Sequence, residues 1–377
     1  MKILHLADLH IGKKVNDFCM LNEQKFVINQ ALDLIKKEKI EAVLIAGDIF
    51  DKAIPGVSAL ELFDLFLKEL NLLSVKVFII SGNHDNMDRL AYLSNLLKTS
   101  DIYISQSYDG KIQSISLNDD IEIYLMPYLY PALVRKYYEN SKIANYNDAI
   151  SLVVNDIKLD ENKVNIIIAH QFVIGSNQPL ISQSEQKSVG GIDEVSYKIF
   201  EKFDYCALGH LHCAQKCSSD KIRYSGSILK YSFSEINQNK KFTVLNIKGK
   251  NDIELEFFPI NFLHEMREYR GKIDDFLDEK FYKTIKTDDY IHFILEDEYV
   301  LDAKKKLSLI YPNIMLLEFD NTFTRSLDEN ISFDVDSNKT MFEHFCDFYK
   351  LKMGDDLSSD RENIVKNLMG EINNETP

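Results

Sequence analysis

Five short apolar runs, each ending at once in acid, amide or histidine, constrain this 377-residue chain more than any other feature. They are ILHLADLH at 3–10, AVLIAGD at 42–48, VFIISGNHD at 77–85, NIIIAHQ at 165–171 and CALGHLH at 206–212. Apolar stretches this short, stopped by Gly, Asp, Asn or His, read as buried strands. Helical spacing separates the first three. Phe26, Val27, Ala31, Leu34 and Ile35 recur at helix-like intervals within 23–39, and VSALELFDLFLKELNL fills 57–72. Strands alternating with helices predict a layered α/β fold, and ligands in such folds sit beyond the carboxyl ends of the strands.

Those ends hold Asp8 and His10, Asp48, then Asn83, His84 and Asp85, then His170, and finally His210 and His212. Five of the nine histidines lie there, and core histidines would not track strand ends so closely. Carboxylate, imidazole and amide oxygen together suit Mn²⁺, Fe²⁺ or Zn²⁺ without thiolate. An extended backbone repeats every two residues, so Asp8-x-His10 and His210-x-His212 would each aim a pair to one face. A carboxylate such as Asp48 can bridge two cations about 3.5–4 Å apart, an arrangement suited to phosphoester hydrolysis without a Ser or Cys nucleophile. Each piece alone is weak, since a lone D-x-H is common and Gly47–Asp48 is ordinarily a turn. Their joint order carries the signal.

Composition limits the function classes. With 45% hydrophobic and 27% charged residues the chain is ordinary globular material. It has no apolar run near the roughly 20 residues that span a bilayer, and its start lacks a secretory signal. Five cysteines without a CxxC pair suggest reduced thiols, and the expected location is cytoplasmic, about the nucleoid. A net charge of -15 argues against coating nucleic acid by bulk attraction.

After about residue 260 the pattern changes. Residues 263–320 read as a small α+β module, with one helical stretch, an alternating strand YIHFIL and a helix over 301–310. Residues 321–338 are polar and read as a linker. Two helical stretches follow within 339–377, the first crowded on one side by Phe342, Phe345, Phe348 and Tyr349.

The motifs resemble the calcineurin-like metallophosphoesterases, and within them the SbcD nuclease family. The matching stretches are ILHLADLHIGK, AGDIFDKAIPG, SGNHD, AHQF, SVGGIDEV, DYCALGHLH, RYSGSILKYSFSE, IYPNIMLLEF and FEHFCDFYK, which together span nearly the whole chain. The resemblance implies a metallophosphoesterase β-sandwich flanked by helices over 1–262, a DNA-binding cap over 263–320, and C-terminal helices. It implies one metal held by Asp8, His10, Asp48 and His212, and a second by Asp48, Asn83, His170 and His210. His84 matches the outer histidine that contacts the scissile phosphate or protonates the leaving oxygen; Asp85, by adjacency, would orient it. The implied cofactors are two Mn²⁺ ions, and the implied partners are an SbcC-like SMC-type ATPase, DNA ends and hairpins, and a second copy of the chain. Asp51, where eukaryotic and archaeal members tend to have histidine, fits the bacterial branch.

Other assignments stay secondary. Lys13, Lys14, Lys52, Arg89, Lys187 and Lys230 lie near motif segments and would contact phosphates only if they cluster in space. The aromatic residues 342–349 are expected to dock on the partner's coiled-coil base. His5, His264, His292 and His344 read as structural, as does Cys206, and Cys213 and Cys217 are not expected to bind zinc. The loop from Gly175 to Gly191 faces either substrate or solvent. A phosphoesterase for small diesters or phosphoproteins is the alternative, although phosphatases of that kind usually show GDxVDRG and GNHE rather than GDIFDKA and GNHD. A non-catalytic scaffold is disfavoured because every expected ligand is present.

Overall fold

The computed structural model describes residues 1–320 except 93, 177, 186–192 and 251, together with 341–353, 356–359, 361–362 and 364–366. The expected linker at 321–338 and Lys187 lie outside the described residues, as does the Phe348 side chain. Two compact units divide the chain. The first is Met1–Glu268 with Asp288–Ile291, and the second is Tyr269–Thr287 with His292–Pro377.

The first unit is built on two six-stranded sheets. One runs from edge to edge through Asp252–Pro259, Lys241–Gly249, Lys2–Leu6, Ala42–Ala46, Lys76–Ile80 and Ile102–Ile104. Its last four strands are parallel. The other runs through Gln215–Cys217, Ser219–Tyr224, Tyr205–Gly209, Val164–His170, Ile121–Met126 and Gln113–Ser116, with its central four parallel.

The central strands of both sheets are buried on two faces, which is why they are continuously apolar. Ile3, Leu44 and Phe78 of the first sheet pack with Ile123, Ile166, Ile168 and Tyr205 of the second, forming the layer between them. Residues of the opposite parity, Ile167, Ala169, Cys206 and Leu208, meet Ala149, Ile150, Val153 and Val154 of the helix Tyr146–Asn155. Helices Leu21–Glu38 and Val57–Leu72 are the crossovers of the parallel strands, each with one buried stripe. The expected helices at 23–39 and 57–72 are therefore present, the first beginning two residues earlier and ending one residue sooner.

A three-stranded sheet of Met266–Gly271, Tyr290–Leu295 and Ile314–Phe319 carries the α+β part. YIHFIL is a strand, but all six of its residues are buried, so it does not alternate between core and solvent. Two short helices, Ile273–Leu277 and Glu279–Tyr282, stand where one was expected. Asp278 breaks them apart with an extended backbone and caps the second through Lys280 N–H. The helix expected over 301–310 is confined to Ala303–Leu307, and Met341–Met353 is helical. Among the described residues no helix is long and apolar enough to cross a membrane.

Candidate metal centre

The strand tips are not extended. Asp8, His10 and Asp48 have φ of 52°, 43° and 50°, and His210 has 102°, so both D-x-H and H-x-H turn through left-handed backbone. This corrects the alternating geometry expected for these motifs. Such conformations disfavour side chains, and here tertiary bonds hold them. Asp8 N–H donates to the Gly47 carbonyl at 3.1 Å, and His10 N–H to the Asp48 carbonyl at 2.9 Å. The Asp8 carboxylate in turn accepts the His210 N–H, at 3.0 and 3.1 Å to its two oxygens. Gly82 must lack a side chain, because a Cβ there would run into the Asp48 carboxylate.

All seven expected ligands converge. The Asp48 carboxylate lies 3.6 Å from His10 Nε2 and 3.5 Å from His170 Nε2, between the two groups. His10 Nε2 faces His212 Nε2 at 3.1 Å on one side. On the other, Asn83 Oδ1 lies 3.0 Å from His170 Nε2 and 3.1 Å from His210 Nδ1. Asp8–His10–His212, His10–Asp48–His84 and Asp8–Asp48–His170 each bring three ligand atoms close enough to share an ion. His210 and His212 thus point into different halves of one cluster.

The donor set fits a cation on physical grounds. His170 Nδ1 donates to the Ala46 carbonyl at 2.7 Å, so its Nε2 turns toward two oxygen acceptors, Asn83 Oδ1 and Asp48 Oδ2. Acceptors facing acceptors need a positive charge between them. Without a metal, a proton must serve. Burial lowers the pKa of His170, yet Asp48 and Asp8 outweigh it and raise it to about 9. Burial would also raise that of Asp48, but His170, His10 and His84 hold it below the ordinary carboxylate range. Asp8 is pushed well up by desolvation and by Asp48, the mark of a buried acid lacking enough positive charge. Desolvation lowers the pKa of His210 to about 3, leaving a neutral ring suited to ligation.

His84 stands at the open side of the cluster. Its Nδ1 donates to the Asp51 carbonyl at 2.9 Å, and its Nε2 lies 4.0 Å from Asp48 Oδ2. The expected orienting role of Asp85 is not what the contacts describe. Its carboxylate accepts N–H bonds from Ile49, Phe50 and Gly82, stitching the GD and GNHD loops together. Adjacency in sequence misled here, because a tight turn sends neighbouring side chains apart.

The basic residues scatter. Lys230 is buried, bonded to the Ile236 carbonyl and paired with Glu265, so it is structural rather than a phosphate contact. Lys13 borders the cluster but pairs with Asp51 at 2.7 Å. Lys52 and Arg89 are exposed and line one cleft of about 680 Å³ with Asp85 and Asn86; Lys14 is exposed on a short hairpin. Phe342, Phe345 and Tyr349 are partly buried on Met341–Met353. His5 is a core residue bonded to the Tyr205 hydroxyl, His264 pairs with Glu23, and His292 with Glu318. Cys213 and Cys217 are buried, and the Cys217 thiol donates to the Val173 carbonyl.

Sequence reading missed the residues that hold the ligands. Gln24 donates to the His10 carbonyl at 2.7 Å, while Ser184, Glu185, Glu235 and Lys240 surround His212. Glu235 lies in the RYSGSILKYSFSE stretch, whose match pointed to the site without naming a role.

Comparison with known proteins gives the family. The calcineurin-like phosphoesterase family profile matches residues 1–214. The SbcD nuclease of the SbcCD complex from Staphylococcus epidermidis is 32% identical over 380 aligned positions, covering 99% of each chain. Among solved structures, a dimetal phosphatase from Danio rerio shares 13% identity and a TM-score of 0.37, over 69% of this chain and 99% of its own. A mutant cold-active protein tyrosine phosphatase gives 12% and 0.29, over 69% and 80%. Both scores are too low for either structure to inform the site. The family match and the full-length relative suffice: this chain belongs to the calcineurin-like phosphoesterases, hydrolases of phosphodiesters, and within them to the SbcD nuclease family.

Proposed function

We propose that the chain is the nuclease component of an SbcCD-type complex, a Mn²⁺-dependent enzyme that degrades double-strand DNA ends and opens hairpins in repair and recombination. The observation that carries this reading is the ring of seven acceptor ligands facing one another at two halves of one buried cluster. The full-length likeness to an SbcD nuclease supports the choice of substrate and partner.

In this reading Asp8, His10, Asp48 and His212 hold one ion, and Asp48, Asn83, His170 and His210 the other. Two such cations neutralise phosphate charge and acidify the attacking water. His84, its Nδ1–H fixed on the Asp51 carbonyl, presents Nε2 to the phosphate and, when protonated, delivers a proton to the leaving oxygen. Asp85 acts through the loops it ties. Residues 1–262 form the nuclease domain and 263–320 a DNA-binding cap, with 321–338 linking to ATPase-binding helices in 339–377. A second copy docks through the cleft beside Val57–Leu72, where the lining residues Leu60 and Tyr92 expose 48% and 74% of their surface.

End-labelled duplex and hairpin DNA incubated with Mn²⁺, with and without the ATPase, tests the proposal. Wild type should degrade both, whereas Asp48→Ala and His84→Gln should not. Equal activity in all three overturns the assignment. Turnover of a chromogenic diester with no action on DNA, even with the partner present, would favour the small-diester alternative.

A further inference from the structure

The two halves of the centre are held by different means. His170 is fixed by strand backbone, since its Nδ1–H bonds the Ala46 carbonyl of the other six-stranded sheet at 2.7 Å. Among the described residues His212 Nδ1 meets no backbone acceptor, only side chains, with Glu235 Oε1 at 3.4 Å. Its Nδ1 lies 2.7 Å from the Ser184 hydroxyl, which stands 2.5 Å from Glu235 Oε1. A carboxylate only accepts, so the hydroxyl donates to Glu235 and accepts from His212 Nδ1–H. That direction leaves the lone pair on His212 Nε2, the atom facing His10.

The relay is anchored and latched. Glu235 is fully buried and paired with the buried Lys240 at 2.6 Å. Lys240 Nζ also reaches the His212 carbonyl at 2.7 Å and Ser227 Oγ at 2.8 Å. Glu185 accepts the His212 N–H and, at 2.8 Å, that of Ser182. Gln215 clamps the same loop by bonding both the N–H and the carbonyl of Leu180, at 2.9 and 2.8 Å.

We infer that Ser184, backed by the Glu235–Lys240 pair, is a positioning residue that fixes the tautomer and aim of His212 and so sets the affinity of the Asp8–His10–His212 half alone. Partners behind a metal-binding histidine orient the ring and raise its basicity, and losing one typically weakens the site about 10- to 100-fold. The other half, whose His170 is fixed by a backbone carbonyl, should not respond. This inference rests on the metal reading of the cluster.

Titration of the full chain with MnCl₂ by calorimetry, repeated with Co²⁺ followed by its visible spectrum, tests it at fixed pH. Wild type should bind two ions. Ser184→Ala should weaken one of them about 10- to 100-fold and spare the other, while Ser184→Thr, which keeps the hydroxyl, should match wild type. Ser184 is only partly buried, so the alanine variant should fold, and an unchanged metal-free melting curve would verify this. Two sites of wild-type affinity in Ser184→Ala overturn the inference while leaving the metal reading intact. Equal weakening of both sites, or Ser184→Thr as weak as Ser184→Ala, also overturns it. A wild type that binds no ion overturns the metal reading itself.

Discussion

His10 and His212, 202 residues apart in sequence, face each other with their Nε2 atoms 3.1 Å apart. The Ser184 hydroxyl takes the His212 Nδ1–H, so His212 brings a lone pair to that contact. A shared proton or a cation relieves the opposition of the two rings, and two buried carboxylates beside them favour the larger charge.

Metal should therefore stabilise the fold. Free Mn²⁺ at 100 times its dissociation constant is expected to add about 2.7 kcal/mol per independent site. Calorimetric melting with and without Mn²⁺ should show the rise in wild type and its loss in Asp48→Asn. A melting temperature indifferent to metal would contradict the centre described above.

His84 carries a different load from the ligands. His84→Gln is expected to lower hydrolysis about 10²- to 10⁴-fold, the range for removing a positioned acid. Elemental analysis should still find two ions bound. Loss of metal with loss of activity would make His84 a ligand instead.

Asp85 should behave as a brace. Asp85→Asn replaces an acceptor of the Ile49, Phe50 and Gly82 amides with a group that cannot accept all three. A loss of about 1–3 kcal/mol is expected in urea unfolding. Residual activity should keep the wild-type shape of its pH profile; a shifted acid limb would instead mean that Asp85 tunes His84.

His5 gives a pH dependence away from the centre. Desolvation lowers its folded-state pKa to about 3 from an ordinary 6.5, so the unfolded chain binds the extra proton between those values. Stability from this group is intact above pH 6.5 and is lost as pH falls, by about 1.4 kcal/mol per unit at most. Unfolding of His5→Gln from pH 7 to pH 4 should show a shallower acid slope than wild type. Parallel slopes would mean that His5 does not stay neutral in the fold.

The apolar cleft bears on assembly. Leu60→Glu, about half exposed beside Tyr92, should shift a dimer to monomer in sedimentation velocity without impairing cleavage of a chromogenic diester. An unaltered sedimentation coefficient would remove this face from the dimer.

Much of the centre was legible before any coordinates. A parallel sheet buried on both faces demands continuous apolar strands, and its ligands gather at the carboxyl ends. The runs ending in Asp8, Asp48, Asn83, His170 and His210 therefore carried both fold and ligand set in their local pattern. Local pattern failed where a contact depends on distant chain. The left-handed turns at Asp8, His10 and His210 arise from bonds that cross between strand tips. Lys230 reads as a surface cation until Glu265 and the Ile236 carbonyl close over it. Asp85 braces loops rather than His84 because a turn separates adjacent side chains. The Ser184–Glu235–Lys240 support of His212 joins common polar residues at no diagnostic spacing, and burial alone gives them meaning. The sequence determined which atoms could bind a metal, because periodicity and residue chemistry are local; tertiary structure decided which groups aim them, because a hydrogen bond depends on distance in space rather than along the chain.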